Sequence, residues 1–152
     1  MKSFENFGLS RELVETIKHL DINTPTQIQE LSIPYIISGK DVIAESATGS
    51  GKTLVFGCGI IEHVIPKMGL QALVLAPTRE LTNQVRKSIQ ELSRQKRLNI
   101  IDVYGGVSMT PQVQELSRAE VVVATPGRLL DHLERGTVNL SKIKILVLDE
   151  AD

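Results

Sequence analysis

A run of small residues between an apolar segment and a helical pattern limits the folds open to this chain. Residues 42–44 predict a short strand, residues 46–51 predict a small-residue loop, and a helix is expected to open at Lys52. In such a loop successive backbone N–H groups can point at an anion, and the positive end of the new helix adds to their field. We interpret residues 46–53 as a phosphate-binding loop. A glycine-rich turn followed by an exposed lysine is the alternative.

The loop follows the pattern G-x-x-x-x-G-K-[ST], with a serine in place of the first glycine. Lys52 would reach the β- and γ-phosphates of a nucleotide, and the Thr53 hydroxyl would hold Mg²⁺. No Asn-Lys-x-Asp run of the GTPase type occurs in the sequence, which argues against guanine as the base. The loop residues predicted to contact the nucleotide are Ser46, Ala47, Thr48, Gly49, Ser50, Gly51, Lys52 and Thr53.

Four more short runs predict strands, at residues 72–75, 100–104, 121–124 and 145–148. Each run is rich in Val, Ile or Leu and, apart from Asp102, apolar, which is typical of strands buried on both faces of a parallel sheet. Helical patterns separate them. The chain is therefore expected to be an α/β protein, with a βαβαβαβαβ order, right-handed crossovers and ligands at the carboxyl ends of the strands.

Helix starts are marked by residues that can cap them. Ser10 can cap a first helix with an apolar stripe of Leu13, Ile17 and Leu20, and a second helix is expected from Thr26 to Gly39, bent or interrupted by Pro34. The later helices are expected to open at Thr78, with the stripe Leu81, Val85, Ile89 and Leu92, at Thr110-Pro111, with Val113 and Leu116 inside, and at Thr125-Pro126, with Leu129, Leu130 and Leu133.

Two carboxylates follow the last apolar run directly. Asp149 and Glu150 should therefore lie at the carboxyl end of that strand, on the same edge as the phosphate loop. In a phosphate-loop enzyme Asp149 would bind Mg²⁺, usually through water, and Glu150 would orient or deprotonate the attacking water. An acidic turn after a buried strand is the alternative.

Composition excludes several classes of protein. With 152 residues, 41% of them hydrophobic and 23% charged, the chain is expected to form one globular domain. Its net charge of −1 is not that of a generic nucleic-acid binder, so any such contact should be local. The single cysteine, Cys58, excludes an internal disulfide and suggests a reducing compartment; with no signal peptide or apolar span, we expect a cytoplasmic protein without a membrane partner. The isolated His19, His63 and His132 are interpreted as surface or packing residues.

Several motifs occur in a fixed order along the whole chain. They are Phe4 followed by Pro25-Thr26-Gln27-Ile28-Gln29, the loop at 46–53, Pro77-Thr78-Arg79-Glu80-Leu81, Gly105-Gly106, Thr125-Pro126-Gly127-Arg128 and Asp149-Glu150-Ala151-Asp152. In that order they resemble the Q motif, motif I, motif Ia, the GG motif, motif Ib and the acidic motif of the DEAD-box RNA helicase family. Two departures are Ser46-Ala47, where the family usually has Ala-Gln, and Asp21-Ile22, where it commonly has Gly-Phe.

The resemblance implies a RecA-like domain that binds ATP and Mg²⁺. Gln29 would hydrogen-bond the adenine edge, and Phe4 would pack on the face of the base. Thr26 and Gln29 also have the spacing of a capping box, so Gln29 has a helix-building role that needs no adenine. The family's pattern gives catalytic roles to Lys52, Asp149 and Glu150, metal binding to Thr53 and Asp149, and coupling between domains to Asp152.

The resemblance also implies contacts with the backbone of single-stranded RNA, independent of sequence. Arg79 and Arg128 each lie in the first turn of an expected helix, where a cation opposes the helix dipole; that position suits a residue facing a phosphate. Gly105-Gly106 has a plain turn as its alternative, and Thr125-Pro126 a plain helix start. The implied RNA-binding residues are Pro77, Thr78, Arg79, Gly105, Gly106, Thr125, Pro126, Gly127 and Arg128.

The resemblance implies that a complete helicase core is longer. We expect residues 1–39 to form a helical segment with the Q motif, and residues 40–152 an incomplete RecA-like core truncated after the acidic strand. A strand that follows the acidic motif would insert beside the phosphate-loop strand, so two sheet edges are expected to be unpaired. The leading hypothesis is the motor domain of an ATP-dependent RNA helicase, which needs a second RecA-like domain to unwind RNA. The alternatives are an ATP-gated RNA clamp and an unrelated P-loop ATPase.

Overall fold

Helices and strands alternate along the chain largely as the apolar patterns predict. The computed structural model describes residues 3–151. Two compact units can be separated, residues 3–63 with 91–96 and residues 64–90 with 97–151, and the expected boundary after residue 39 stays a prediction. The elements are a 3-10 helix at Phe4–Asn6, α1 (Arg11–His19), α2 (Gln27–Ile37), α3 (Lys52–His63), β1 (Ala72–Leu75), α4 (Arg79–Leu92), β2 (Ile100–Val103), α5 (Met109–Leu116), β3 (Val121–Ala124), α6 (Pro126–Arg135) and β4 (Ile145–Leu148).

The first unit is helical. The Ser10 hydroxyl caps α1 as predicted, since it accepts a hydrogen bond from the Leu13 N–H at 3.2 Å, and Leu13 and Ile17 are buried. The capping box of Thr26 and Gln29 opens α2. This helix continues through Pro34 to Ile37 without interruption, and the Pro34 carbonyl accepts a hydrogen bond from the Ser38 N–H at 3.1 Å.

The strand predicted at residues 42–44 is not formed, and this prediction was wrong. The segment has no regular structure, and Ile43 is 94% exposed. A strand needs a neighbour that accepts and donates its backbone hydrogen bonds. No strand within residues 3–151 pairs with this segment, so the structure has four strands where the sequence predicted five.

The second unit contains a parallel sheet in the order β2-β3-β1-β4. Ala72 of β1 lies opposite Val121 of β3 and Ile145 of β4, and Ile100 of β2 lies opposite Val121. The inner strand β3 is buried along its whole length, as predicted for a parallel sheet. Because all four strands run the same way, their carboxyl ends share one edge of the sheet.

The outer strand β4 departs from the prediction of burial on both faces. Leu146 is 58% exposed and Leu148 is 60% exposed, whereas Ile145 and Val147 are half-buried. The apolar run predicted a strand correctly. However, a run of aliphatic residues does not report whether another layer covers each face, and here one face of an edge strand stays open to solvent.

Two later helices begin close to their predicted starts. Ser108 occupies the N-cap of α5, so this helix opens at Met109 and not at Thr110. Thr125 occupies the N-cap of α6, with Pro126 as its first residue, as predicted. Of the three leucines expected along α6, Leu129 is buried and Leu130 and Leu133 are exposed.

Aliphatic side chains form the core of the second unit. They come from β1, β2 and β3, from the end of α5, from the first turns of α6 and from the segments that precede β1 and β3. The longest helix, α4, has 14 residues, and among residues 3–151 no helix has the length and apolar character of a membrane span. The buried members of this core are Leu70, Leu73, Val103, Leu116, Ala119, Val122, Ala124 and Leu129.

Candidate nucleotide and RNA sites

The glycine loop of the first unit has a backbone that only glycine adopts easily. Gly49 has φ of +83° and Gly51 has φ of +91°, in the left-handed region. A Cβ on Gly51 would also lie 2.3 Å from Nε2 of Gln29, whereas a Cβ on Gly49 would meet nothing within 4 Å. The Lys52 ammonium donates to the Ser46 carbonyl at 3.0 Å. The loop is therefore curled back toward the first residue of α3, which suits the binding of a phosphate group.

Side chains at the start of α2 hold the backbone of this loop. The Thr26 hydroxyl donates to the Ser50 carbonyl at 2.7 Å, and Nε2 of Gln29 donates to the Gly51 carbonyl at 3.2 Å. Oε1 of Gln29 accepts from the Thr26 N–H at 2.9 Å, as the capping box requires. Gln29 is 4% exposed. The helix-building role predicted for Gln29 is present, and it is combined with a loop-holding role that the sequence did not indicate.

Phe4 lies in the interior of the first unit. Its side chain is 4% exposed, and its ring meets that of Phe7 edge to face, with centroids 5.7 Å apart. In this arrangement the ring serves the packing of the amino-terminal segment. Its contact with an adenine stays a proposal.

Cys58 is not available as a nucleophile. It lies on α3 and is fully buried. Burial raises the pKa of the thiol to about 12, and the carboxylate of Glu62 adds to this effect. Because the thiolate is the reactive form, the cysteine is chemically inert in the folded chain.

The predicted RNA-binding residues and the acidic residues follow the carboxyl ends of the four strands. Residues 77–79 follow β1, Gly105 and Gly106 follow β2, residues 125–128 follow β3, and residues 149–150 follow β4. The parallel sheet therefore brings them to one edge, in the order in which its strands lie. Chain segments at this edge are where parallel sheets commonly bind ligands.

Arg79 stacks on an aromatic ring that lies outside the motifs of the sequence. Its guanidinium carbon lies 4.6 Å from the centroid of the Tyr104 ring. Such a cation–π contact orients the guanidinium without consuming its N–H groups, which remain available to an anion. The signal in the sequence is the position of Tyr104, a single aromatic residue between β2 and the two glycines.

Arg128 is held from one side. Its Nη1 donates to the Val107 carbonyl at 3.0 Å and to Oε1 of Gln112 at 3.1 Å. Its Nε is buried without a hydrogen bond and lies 3.6 Å from Oδ2 of Asp131. Within residues 3–151, no hydrogen bond involves Nη2 of this arginine. The guanidinium is thus fixed to the loop after β2 while part of its donor set is unused.

Gln112 and His132 form a buried polar pair behind Arg128. Nε2 of His132 lies 2.9 Å from Oε1 of Gln112, and Nδ1 lies 2.8 Å from the Thr137 hydroxyl. Nε2 of Gln112 donates to the Tyr104 carbonyl at 2.9 Å. His132 is a packing residue, as interpreted, but its hydrogen bonds were missed. Helical spacing puts Gln112 on the face of Leu116 and His132 on the face of Leu129, so it indicates burial of each residue but not their pairing.

The pKa of His132 lies below its ordinary value. Burial is the largest cause, because it disfavours the charged ring, and repulsion by Arg128 and Arg135 adds to it, while Asp131 acts in the opposite direction. Since the carbonyl of Tyr104 can only accept, Gln112 must present its oxygen to His132. The neutral ring therefore carries its proton on Nε2, facing Oε1 of Gln112. The Thr137 hydroxyl donates to the His132 carbonyl at 3.1 Å and lies 2.8 Å from Nδ1.

The acidic residues lie beyond β4. The Asp149 N–H donates to the Leu75 carbonyl at 2.9 Å, which extends the pairing of β4 with β1 by one residue. Glu150 is exposed and has φ of +53°, a left-handed conformation that is strained for a residue other than glycine. Such strain is frequent at functional sites. Asp152, expected to couple two domains, lies outside the described residues.

The candidate metal ligands are oxygen atoms. Within residues 3–151 no three His, Cys, Asp or Glu side chains are grouped as a metal site. Mg²⁺ usually takes one or two protein oxygens together with water and phosphate oxygens. The Thr53 hydroxyl and the Asp149 carboxylate are donors of that kind, so the chemistry of each fits a magnesium ion bound with a nucleotide.

The fold and the loop define a class of nucleotide-binding α/β domains, the RecA-like P-loop domains. A sequence model described as "DEAD/DEAH box helicase" matches residues 26–152. The chain is 42% identical over 151 residues to the RNA helicase CrhR of Synechocystis, an alignment that covers 99% of this chain and 31% of CrhR. The chain belongs to the DEAD-box helicase family, and it spans about a third of the length of this relative.

Solved structures agree with the family assignment. A DEAD box protein from the hyperthermophile Methanococcus jannaschii has a TM-score of 0.96 and 42% identity, over 99% of this chain and 42% of that one. A hypothetical ATP-dependent RNA helicase from Sulfolobus tokodaii has a TM-score of 0.87 and 37% identity, over 95% and 42%. A variant of S. cerevisiae Dbp5 bound to RNA and ADP BeF3 has a TM-score of 0.90 and 34% identity, over 99% and 39%.

Proposed function

We propose that this chain is the amino-terminal ATP- and RNA-binding motor domain of an ATP-dependent RNA helicase. The observation that carries the proposal is the hydrogen bond from Gln29 to the Gly51 carbonyl, because it joins the residue expected to read adenine to the loop expected to hold phosphate. Family membership supports the same conclusion. Since the chain spans about a third of its curated relative, the activity, substrates and partners of the whole protein all belong to this proposal.

The phosphate loop would bind the nucleotide through backbone N–H groups and the dipole of α3. Lys52 would leave the Ser46 carbonyl and contact the β- and γ-phosphates. The Thr53 hydroxyl and Asp149 would hold Mg²⁺, in the second case partly through water, and the ion would neutralise charge on the phosphates. Gln29 would contact the adenine edge, with Phe4 contributing to the pocket of the base.

Hydrolysis would depend on Glu150. Its carboxylate would orient a water, or accept a proton from it, for attack on the γ-phosphate, and ADP and phosphate would leave. RNA would lie along the carboxyl edge of the sheet, with its phosphates contacted by Arg79, Arg128 and helix amino termini. A second RecA-like domain of the same protein, coupled through Asp152, would be required for local unwinding in the cytoplasm.

Calorimetric titration with ADP, GDP and tripolyphosphate tests the nucleotide site. The chain is expected to bind ADP and tripolyphosphate, and to bind GDP more weakly. Gln29→Ala removes the loop bond and the base contact together, so it should weaken tripolyphosphate and erase the difference between ADP and GDP. Gln27→Ala, an exposed glutamine on the same helix, is the matched control and should leave all three affinities unchanged.

The titration has two contrary outcomes. If Gln29→Ala weakens all three ligands equally and the preference for ADP persists, Gln29 holds the loop only and does not read the base. Failure of the unaltered chain to bind any of the three contradicts the ATP site. RNA-stimulated hydrolysis without strand separation by the full-length protein would indicate an ATP-gated clamp and not a helicase.

The RNA site is tested by fluorescence anisotropy with a labelled oligouridine. Arg79→Ala and Arg128→Ala should each weaken binding and lower the dependence of log K on log salt by about 0.7 for each RNA phosphate that the variant no longer binds. Arg118→Ala, an exposed arginine just beyond the carboxyl end of α5, is the control. Equal effects of all three substitutions would show that only net charge matters.

A further inference from the structure

Gln112 lies at the centre of the polar contacts behind both candidate RNA arginines. It is 6% exposed and belongs to none of the motifs that carry the family resemblance. Its amide makes three hydrogen bonds: Nε2 donates to the Tyr104 carbonyl, and Oε1 accepts from Arg128 and from His132. The ring of the same Tyr104 supports Arg79. The Gln112 amide therefore connects the segments that follow β2 and β3, and Tyr104 extends the connection to Arg79, which follows β1.

We propose that Gln112 is a positioning residue for RNA binding. Its amide bonds both Nη1 of Arg128 and the carbonyl of Tyr104, and so fixes the distance between the Arg128 guanidinium and the Tyr104 backbone. The inference rests on the proposed function, because it assumes that Arg79 and Arg128 contact RNA phosphates. The inference adds to that function the residue that fixes the positions of Arg128 and Tyr104. A guanidinium held through Nη1, with Nε beside Asp131, keeps Nη2 for a phosphate oxygen. These contacts also remove rotamer freedom that RNA binding would otherwise have to restrict.

The chemistry of the amide explains why glutamine is suited to this position. The Tyr104 carbonyl requires a donor, while Arg128 and the Nε2–H of His132 require an acceptor. A carboxylate would oppose the carbonyl, and an apolar side chain would leave Nη1 with the Val107 carbonyl alone. His132 fixes the amide from the opposite side, since its second nitrogen is bonded to Thr137. Rotating the amide by half a turn would place its NH₂ group against the N–H groups of Arg128 and His132.

A double-mutant cycle tests the proposal on the whole 152-residue chain. Gln112→Met keeps the volume of the side chain but removes its hydrogen bonds. It should weaken binding of labelled oligouridine roughly threefold to tenfold in the unaltered background, and change it less than about twofold when Arg128→Ala is already present. The salt dependence of log K should fall by about 0.7, the value for one phosphate. If Gln112 were needed only for stability, Gln112→Met would lower the melting temperature without changing the affinity for RNA or its salt dependence.

The control is Gln114→Met, an exposed glutamine on the same helix. If Gln112→Met does not fold, Gln112→Asn replaces it in the same measurements of affinity and salt dependence. This variant retains an amide but shortens its reach by one methylene. Additive effects of Gln112→Met and Arg128→Ala, or an unchanged salt dependence for both Gln112 variants, would overturn the inference while leaving the RNA site intact. If Arg128→Ala itself has no effect, the proposed RNA site fails and the inference fails with it.

Discussion

Gly51 combines two requirements at one residue. Its φ of +91° lies in the left-handed region, and its missing Cβ makes room for the Gln29 amide. Gly49 has the first requirement without the second, because nothing lies within 4 Å of its Cβ position. Comparing substitutions at Gly49 and Gly51 therefore distinguishes the cost of a strained backbone from the cost of displacing the Gln29 side chain.

Alanine substitutions at these glycines should differ in a defined way. Each should cost about 1 kcal/mol or more through the left-handed backbone. Gly51→Ala should additionally displace Gln29, break its bond to the loop and start to unravel the first turn of α2. We expect a larger fall in the free energy of unfolding for Gly51→Ala than for Gly49→Ala, measured by urea titration. Equal losses of stability would show that the contact with Gln29 contributes nothing.

The buried His132 makes stability depend on pH. An unfolded histidine takes up a proton below about pH 6.5. The folded ring resists protonation until the pH falls further, because its pKa is lowered. The unfolded state then binds more protons, so the free energy of unfolding should decrease as the pH falls from about 6.5 toward the folded pKa.

The contribution of His132 can be isolated by difference. Urea titrations at about pH 7.5 and about pH 5.5 should show a smaller loss of stability for His132→Gln than for the unaltered chain. The carboxylates titrate alike in both proteins, and His19→Gln, at an exposed position, serves as the control. Identical pH dependence of His132→Gln and the unaltered chain would contradict the lowered pKa.

The helices α2 and α3 pack closely together because α3 has a glycine at their contact. A Cβ on Gly59 would lie 2.3 Å from Cγ2 of Ile36, which is closer than atoms can approach. Glycine inside a helix costs about 1 kcal/mol relative to alanine, so its presence here indicates that helix contact outweighs helix propensity.

Gly59→Ala should therefore destabilise the chain despite its better helix propensity. We expect a net loss of about 1–2 kcal/mol in the free energy of unfolding, since overpacking exceeds the gain from alanine. Ile36→Leu removes the Cγ2 methyl, so the double variant should lose less stability than the sum of the two single variants. Gly127→Ala, at a helical glycine with nothing within 4 Å, should show no such loss.

Elements that depend on local pattern could be predicted from the sequence. The four paired strands are short runs dominated by aliphatic residues, with Asp102 of β2 as the polar exception. The caps at Ser10 and Thr26 need only neighbouring residues. The strand predicted at residues 42–44 is absent because pairing is a property of a distant partner. The pair of Gln112 and His132 escaped prediction for the same reason, because two polar residues 20 positions apart satisfy each other only once α5 and α6 are in place.

The candidate site could be predicted as a set of loops, because strand ends of a parallel sheet share an edge. The hydrogen-bond partners of the individual side chains could not be predicted. Arg128 is held by Nη1, and Gln29 has both its polar atoms in use. Hydrogen-bond partners of this kind are fixed by tertiary packing, and no spacing in the chain reports them.

The outer strand β4 presents apolar side chains at an edge of the sheet. Leu146 and Leu148 are both more than half exposed. An exposed edge with apolar side chains is a template for association with another chain. We expect sedimentation velocity to show self-association that increases with protein concentration.

Two substitutions should suppress this association. Leu146→Lys combined with Leu148→Lys places charges on the exposed face, where they oppose pairing of edges. The control combines Ile65→Lys with Met68→Lys, two residues of the same unit that are 50% and 54% exposed but lie outside the strands. A monomer at every concentration, or equal suppression by the control pair, would contradict a role for β4.

The bonds that occupy Gln29 also determine which hydrogen-bonding groups it still has to offer. Its amide has two N–H groups and two lone-pair sites on the oxygen. The Gly51 carbonyl uses one N–H, and the Thr26 N–H uses one lone pair. One donor and one acceptor remain, which is the complement of an adenine edge with its N7 acceptor and N6 donor; guanine presents two acceptors at the same edge. The helix cap and the phosphate loop thus fix the orientation of the amide that we propose to read the base, since turning it over would break both bonds at once.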